Sequence, residues 1–237
     1  MGIRLQRQKK RNWLLSSFYL LNRIAPFSNK FKLRLFLNLE WIFDRFVTEM
    51  SFKIYSSEEH PFRQHALAFI LKNIQSTDTV LDLGCKHGEI ANAVAEKVKT
   101  VIGIDMDSES VQLAKLTFHR ANLSFINADA VSYLNESNQE FDTLIMSHIL
   151  EHLDKPEEIL MFCREHFKNI YIEVPDFDKS YLNHYRLKEG VKLIYSDNDH
   201  VNEFDRFEIK KLIMDCGLNI IEEEFRFGVQ RFWCSTL

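Results

Sequence analysis

Residues 79–91, Thr-Val-Leu-Asp-Leu-Gly-Cys-Lys-His-Gly-Glu-Ile-Ala, restrict the fold more than any other stretch of the chain. Val80, Leu81 and Leu83 make a short apolar run that carries Asp82 near its end. Gly84 and Gly88 follow, and the segment from Glu89 to Glu96 favours a helix. The pattern is a strand, a tight glycine turn and a helix start. Glycine lets a backbone take positive φ and pass close to a ligand, and the free amides of a helix start can face a polar or anionic group. Farther on, Thr100 to Ile104 reads as a second strand ending in Asp105, where a carboxylate can accept hydrogen bonds from a ribose diol. The Gly-x-Gly-x-x-Gly spacing of a nucleotide oxidoreductase does not follow the first strand, and there is no Walker-type phosphate loop.

The rest of the chain repeats the unit. Strands are expected at 79–83, 100–104, 123–127, 141–146 and 169–174, separated by helices at 88–97, 108–119, 129–135 and 156–167. Such alternation gives a parallel sheet covered on both faces, with ligands at the carboxyl ends of the strands. Asp107 or Ser108 can cap the second of these helices, and Asp154 with Glu157 forms a capping-box pattern around Pro156. After a helix at 205–216, closed by Gly217, the apolar-rich runs 218–225 and 227–235 are joined tightly near Arg226 and should pair antiparallel. The expected fold is α/β and doubly wound, a mostly parallel seven-stranded sheet ending in an antiparallel hairpin, with an N-terminal helical extension.

That extension, residues 1–60, has a character of its own. Residues 1–39 carry nine Lys or Arg and no Asp or Glu, whereas the remainder holds 21 basic against 34 acidic residues, so the net charge of −4 hides a strong asymmetry. The acidic body argues against tracking a nucleic-acid backbone. Trp13, Leu14, Phe18, Leu21 and Ala25 recur at helical spacing behind Lys9-Lys10-Arg11. This mimics a signal peptide, but no small-residue cleavage site follows, and the apolar run is shorter than the roughly 20 residues that span a bilayer. Residues 31–41 alternate like a strand, yet Leu35, Leu39, Ile42, Phe43 and Phe46 follow a helix, and a helix from about Leu35 is the favoured reading. The extension should cap the cleft of a domain spanning 61–237, where a helix begins at Pro61. Its basic, aromatic face also suits peripheral contact with an anionic membrane through residues 1–50. Four scattered cysteines, Cys85, Cys163, Cys216 and Cys234, lack metal-type spacing and fit a reduced, cytoplasmic protein.

The run VLDLGCKHG resembles the first motif of class I S-adenosylmethionine-dependent methyltransferases, usually acidic-x-Gly-x-Gly-x-Gly. Asp82, Gly84 and Gly88 match it, and Lys86 stands where a middle glycine is usual. The resemblance covers roughly residues 61–237 and implies S-adenosylmethionine as cofactor. Asp82, Gly84, Cys85 and Gly88 would hold its methionine half, Asp105 its ribose, and Met106, Asp129 and Ala130 its adenine, with Ser147 at the end of the fourth strand beside the sulfonium. Phe141 to Leu153 resembles the fourth-strand motif of the same family, and Leu150-Glu151-His152-Leu153 is a common signature of its small-molecule branch. There Glu151 and His152 often hold the loop to the next helix.

Methyl transfer from an activated donor needs alignment, exclusion of water and, for a hydroxyl acceptor, loss of a proton. His148 and His152 are the candidate bases, with Glu151 beside them and His148 the nearer to the strand end. An irregular insertion, 176–204, contains Tyr181, Tyr185 and His200, which can stack on and hydrogen-bond a sugar or aromatic acceptor. The expectation is a small-molecule methyltransferase, its acceptor a hydroxyl of a sugar or glycan precursor, with no nucleic-acid partner and no metal. Two alternatives stand beside it. His148, Glu151, His152 and His200, ahead of Phe204 and Glu208, loosely resemble the metal site of small-RNA 3′-end 2′-O-methyltransferases, in which a second glutamate usually stands at the position of His148. Alternatively, Lys86 spoils the cofactor loop and the fold serves as a non-catalytic partner protein.

Overall fold

The computed structural model describes residues 12–56, 59–137, 139–197 and 199–236. The basic cluster Lys9-Lys10-Arg11 lies outside the described residues. Seven strands form one sheet in the order β3-β2-β1-β4-β5-β7-β6, comprising β1 (Thr79–Leu83), β2 (Thr100–Asp105), β3 (Leu123–Asn127), β4 (Thr143–Ser147), β5 (Asn169–Pro175), β6 (Asn219–Arg226) and β7 (Val229–Ser235). β3, β2, β1, β4 and β5 pair in parallel, and β7 opposes both β5 and β6. The expected doubly wound sheet with its terminal hairpin is the fold of the chain.

Each strand's sequence explains its place. β1, β2, β4 and β5 are buried along most of their length and correspondingly apolar. β6, at the edge, alternates and carries Glu222, Glu223 and Glu224, charges that discourage pairing with another chain. The hairpin turns through Phe227 and Gly228, with φ of 55° and 78°, one residue beyond the expected corner at Arg226. A two-residue loop with both φ positive suits the twist of the strands it joins.

Helices α3 (Pro61–Asn73), α4 (Glu89–Val94), α5 (Ser108–Thr117), α6 (Ala130–Glu136), α7 (Pro156–Arg164), α8 (Tyr181–Glu189) and α9 (Arg206–Asp215) fill the connections. Asp107 caps α5, accepting from the Glu109 amide. The capping box around Pro156 does not form: Lys155 is the cap residue of α7 and makes no side-chain cap bond, because Pro156 already supplies the first helical turn. The insertion is less irregular than expected, since Ser180 caps α8 and Gly190 closes it at φ 63°. Ahead of the domain stand α1 (Trp13–Ile24) and α2 (Asn29–Ile54). α2 starts six residues before the expected Leu35, because Ser28 accepts the Phe31 amide and fixes the start there. All four cysteines are buried and unpaired, and no described helix is long and apolar enough to cross a membrane.

The sheet order reverses between β1 and β4, which puts a crevice at their carboxyl ends. Gly84 and Gly88 enter that crevice at φ 72° and 84°. A Cβ on Gly88 would lie 2.5 Å from the Phe125 ring. Gly88→Ala should therefore cost about 2–4 kcal/mol in chemical denaturation, combining left-handed strain with overpacking. Adding Phe125→Leu should recover only the steric part.

Candidate active site

The glycine turn keeps its shape despite Lys86. Lys86 takes φ 45°, the left-handed conformation that a glycine would adopt freely, and its amide donates to Asp105 Oδ2 at 2.8 Å. Asp105 Oδ1 accepts the Asp107 amide, also at 2.8 Å. The carboxylate at the end of β2 thus ties the two loops together. Asp82, 2% exposed, has one oxygen, Oδ2, with no hydrogen-bond partner. Burial pushes its carboxyl up to about 7, opposed by the Ala91 amide and reinforced by Asp105 and Glu89. An orphaned buried carboxylate oxygen beside two left-handed glycines fits an incoming ammonium group.

The other expected cofactor contacts divide. Met106 is 75% exposed at the crevice, free to cover a flat ring. Asp129 caps α6 through Oδ1, which accepts from the Ser132 amide and hydroxyl at 2.8 Å each, and Ala130 packs on the core behind it. The Cys85 side chain is buried in the core beside Val80, Ala91 and Phe125, so only its backbone is available to a ligand. Ser147 donates to Glu173 Oε1 at 2.9 Å.

His148, at φ 56°, stands where β4 exits toward the crevice. Nδ1 lies 2.7 Å from Glu151 Oε1 and Nε2 lies 3.4 Å from Glu173 Oε1. Burial pulls the imidazole down, but the Glu151 hydrogen bond and the charges of Glu151 and Glu173 outweigh it and raise His148 to about 10. Glu173 is 1% exposed. It accepts from the Tyr171 hydroxyl at 2.9 Å and from the Arg231 guanidinium. Burial alone would raise it, yet His148, with Arg231 and Tyr171, holds it at about 2. His148 Nε2 makes no hydrogen bond at its distance from Glu173, but carboxylates on both sides favour the protonated ring, which has no lone pair with which to take a proton. The expectation that His148 serves first as base does not fit these partners.

His152 is placed differently. Its Nδ1 faces the Asp199 carbonyl at 3.3 Å and the Asp199 carboxylate at 3.5 Å, both acceptors, which favours the tautomer with its hydrogen on Nδ1. Its ring meets His200 edge to face at 4.7 Å. Ligand atoms of Glu151, His152 and His200 lie within 4.8 Å of one another, and Glu151 Oε2 is buried without a partner. Glu203 Oε1 lies 3.2 Å from His200 Nδ1. Although burial opposes it, this carboxylate raises the His200 pKa, with Glu151 adding to the effect. Tyr181 and Tyr185 do not join this group; they pair with each other on α8, rings 5.6 Å apart, and both are exposed.

Several residues absent from the expectation complete the site. Phe62 stacks on His148 at 5.7 Å, and behind it Phe52 of α2 stacks on His60 at 4.2 Å. Glu173 and Arg231 were legible as charges inside apolar strands, a pattern that signals a buried pair.

A crevice at the sheet reversal, an orphaned carboxylate and a glycine turn mark the ligand-binding end of a doubly wound α/β domain. A family described as methyltransferase domain matches residues 55–223, and the chain belongs to it. Ubiquinone biosynthesis O-methyltransferase of Paracidovorax citrulli is 37% identical over 87 residues, covering 35% of this chain and 37% of that protein. The chain aligns with between 36% and 48% of the length of the curated relatives it matches. Among solved structures, an S-adenosylmethionine-dependent methyltransferase from Archaeoglobus fulgidus superposes with TM-score 0.58 at 20% identity, covering 80% of this chain and 98% of that one. Magnesium protoporphyrin IX methyltransferase from Synechocystis PCC 6803, solved with bound SAH, gives TM-score 0.55 at 18% identity over 73% and 80%. The fold is that of the class I S-adenosylmethionine-dependent methyltransferases.

The raised His148 gives a pH signature. Its stabilising effect is complete below the unfolded value of 6.5 and is lost as pH rises through about 10. Denaturation between pH 7 and 10 should show stability falling, and His148→Gln should flatten that slope.

Proposed function

We propose that the chain transfers a methyl group from S-adenosylmethionine to a hydroxyl of a small molecule bearing an aromatic ring. Family membership supports the methyl transfer, and the observation that carries the acceptor class is the wall of Phe62, backed by Phe52 and His60, beside His148. A flat, apolar ring suits that wall better than a sugar. The sugar or glycan acceptor gains no support from Tyr181 and Tyr185, which face solvent as a pair. O-methyltransferase is also the printed activity of the curated relatives.

The cofactor supplies an electrophilic methyl carbon when bound. Asp82, Gly84 and Gly88 would hold its methionine half and Asp105 its ribose. Asp129 and Met106 would border its adenine. His152 takes the acceptor proton at Nε2, its tautomer favoured by the Asp199 carbonyl. His148 forms part of the wall of the acceptor pocket beside Phe62, and Glu151 and Glu173 hold it there.

A metal reading is favoured by one observation, the unpartnered buried Glu151 Oε2 next to His152 and His200. A divalent ion held by these three would orient two oxygens of a diol. The acidic body still weighs against a nucleic-acid acceptor.

The test is methyl transfer to catechols and to alkyl glycosides with labelled cofactor, before and after treatment with a chelator. Catechol methylation that survives the chelator and falls about 10²–10⁴-fold in kcat in His152→Ala is the expected result. Transfer to glycosides alone would overturn the acceptor class, and loss of turnover on chelation, restored by magnesium, would establish the metal reading in place of the base.

A further inference from the structure

The N-terminal helices leave a large apolar surface uncovered. No residue of α1 is buried, and Trp13, Phe18 and Ile24 are 75%, 62% and 66% exposed. Along α2 only Leu37 is buried, while Phe36, Phe43, Phe46 and Met50 present an outward stripe at helical spacing. α2 is nevertheless fixed to the body on its other side. The Trp41 indole donates to the Tyr195 carbonyl at 3.1 Å, Arg45 pairs with Asp197 at 3.0 Å, and Arg186, itself buried, binds Glu40 and the Leu37 carbonyl. A soluble monomer rarely leaves so much contiguous apolar surface without a partner.

We propose that the outer face of α1 and α2 docks on an anionic lipid surface. Charge selects this occupant. Nine basic and no acidic residues stand in the first 39, five of them (Arg4, Arg7, Lys9, Lys10 and Arg11) ahead of α1. α1 and α2 themselves hold six basic residues against Glu40, Asp44 and Glu49, with Lys30 and Arg34 paired to Glu189 of the body, and the rest of the chain is acidic. A second copy joined about a two-fold axis would set two such basic segments against each other, which costs energy that an anionic bilayer instead recovers, at about 1 kcal/mol per basic residue near the surface. A nucleic acid would use the charges but leave the aromatic and aliphatic side chains of α1 in water. With no described helix able to span a bilayer, the arrangement is that of helices lying in the interface, apolar side chains in the acyl boundary and cations at the headgroups. Docking there would hold the segment 195–197, and with it Asp199 and His200, through the inner face of α2. The proposal does not depend on which acceptor is methylated.

Sedimentation of the full chain with vesicles tests it. Vesicles of phosphatidylcholine containing one part in about three of phosphatidylglycerol should bind at least about tenfold more tightly than phosphatidylcholine alone, and high salt should release the protein. The double variant Phe18→Asp and Leu21→Asp touches only exposed positions of α1 and should abolish sedimentation while leaving cofactor binding unchanged. Absence of sedimentation, equal binding to neutral vesicles, or a vesicle-independent dimer in light scattering that the double variant dissociates would each overturn the proposal. So would retention on single-stranded RNA that matches the vesicle affinity.

Discussion

The Glu173 carboxylate is the point on which the site depends. It is buried, and it directly faces Arg231 across the antiparallel pair of β5 and β7. Removing one charge from such a pair leaves the other buried and uncompensated, at a cost of about 3–5 kcal/mol. That requirement fixes the register of the closing hairpin, because a slip of one residue would turn Arg231 to the opposite face. It also fixes the functional end of the sheet. The same carboxylate takes the Ser147 hydroxyl, lies beside His148 and, through its backbone carbonyl, accepts the His148 amide at 2.9 Å. The left-handed backbone at His148 is affordable because two carboxylates over-determine the side chain.

From His148 the packing runs outward without a break. Phe62 stacks on the imidazole, the Arg231 guanidinium sits over the Phe62 ring at 5.7 Å, and Phe52 with His60 backs that ring. The long helix α2 therefore backs the Phe62 ring at its end and tethers the insertion at its middle. Its sequence meets both demands by placing Trp41, Arg45 and Phe52 inward and the remaining aromatics outward. The cofactor side is separate: Asp82, the glycine turn and Asp105 belong to β1 and β2, on the far side of β4 from Glu173. The proposed acceptor side thus draws its charges from β4, β5 and β7, and the proposed cofactor cradle lies in the other half of the sheet.

Much of this was legible before any coordinates. The alternation of apolar runs with helix-forming segments gave the sheet because strand and helix periods differ, and Asp82, Gly84 and Gly88 marked the turn because backbone sterics demand those residue types. Lys86 was hard to read: only the structure shows that a hydrogen bond from its backbone amide to the Asp105 carboxylate stabilises its left-handed backbone. The surroundings of the two histidines were also out of reach, since they depend on Glu173 and Asp199, one a strand away and the other in the insertion. Where Tyr181 and Tyr185 point was not legible, because spacing along α8 says nothing about which way a helix is turned once Arg186 and Asn183 have taken the buried side.

The proposed function requires that the turn from Gly84 to Gly88, with Lys86 in it, form a working S-adenosylmethionine cradle. Calorimetric titration of the wild-type chain and of Lys86→Gly with S-adenosylmethionine and its demethylated product addresses it most directly. Micromolar binding by both proteins, without added metal, is the result expected of a loop already held in the glycine-like path. Binding by Lys86→Gly but not by the wild type would contradict the account and leave the fold as that of a non-catalytic partner.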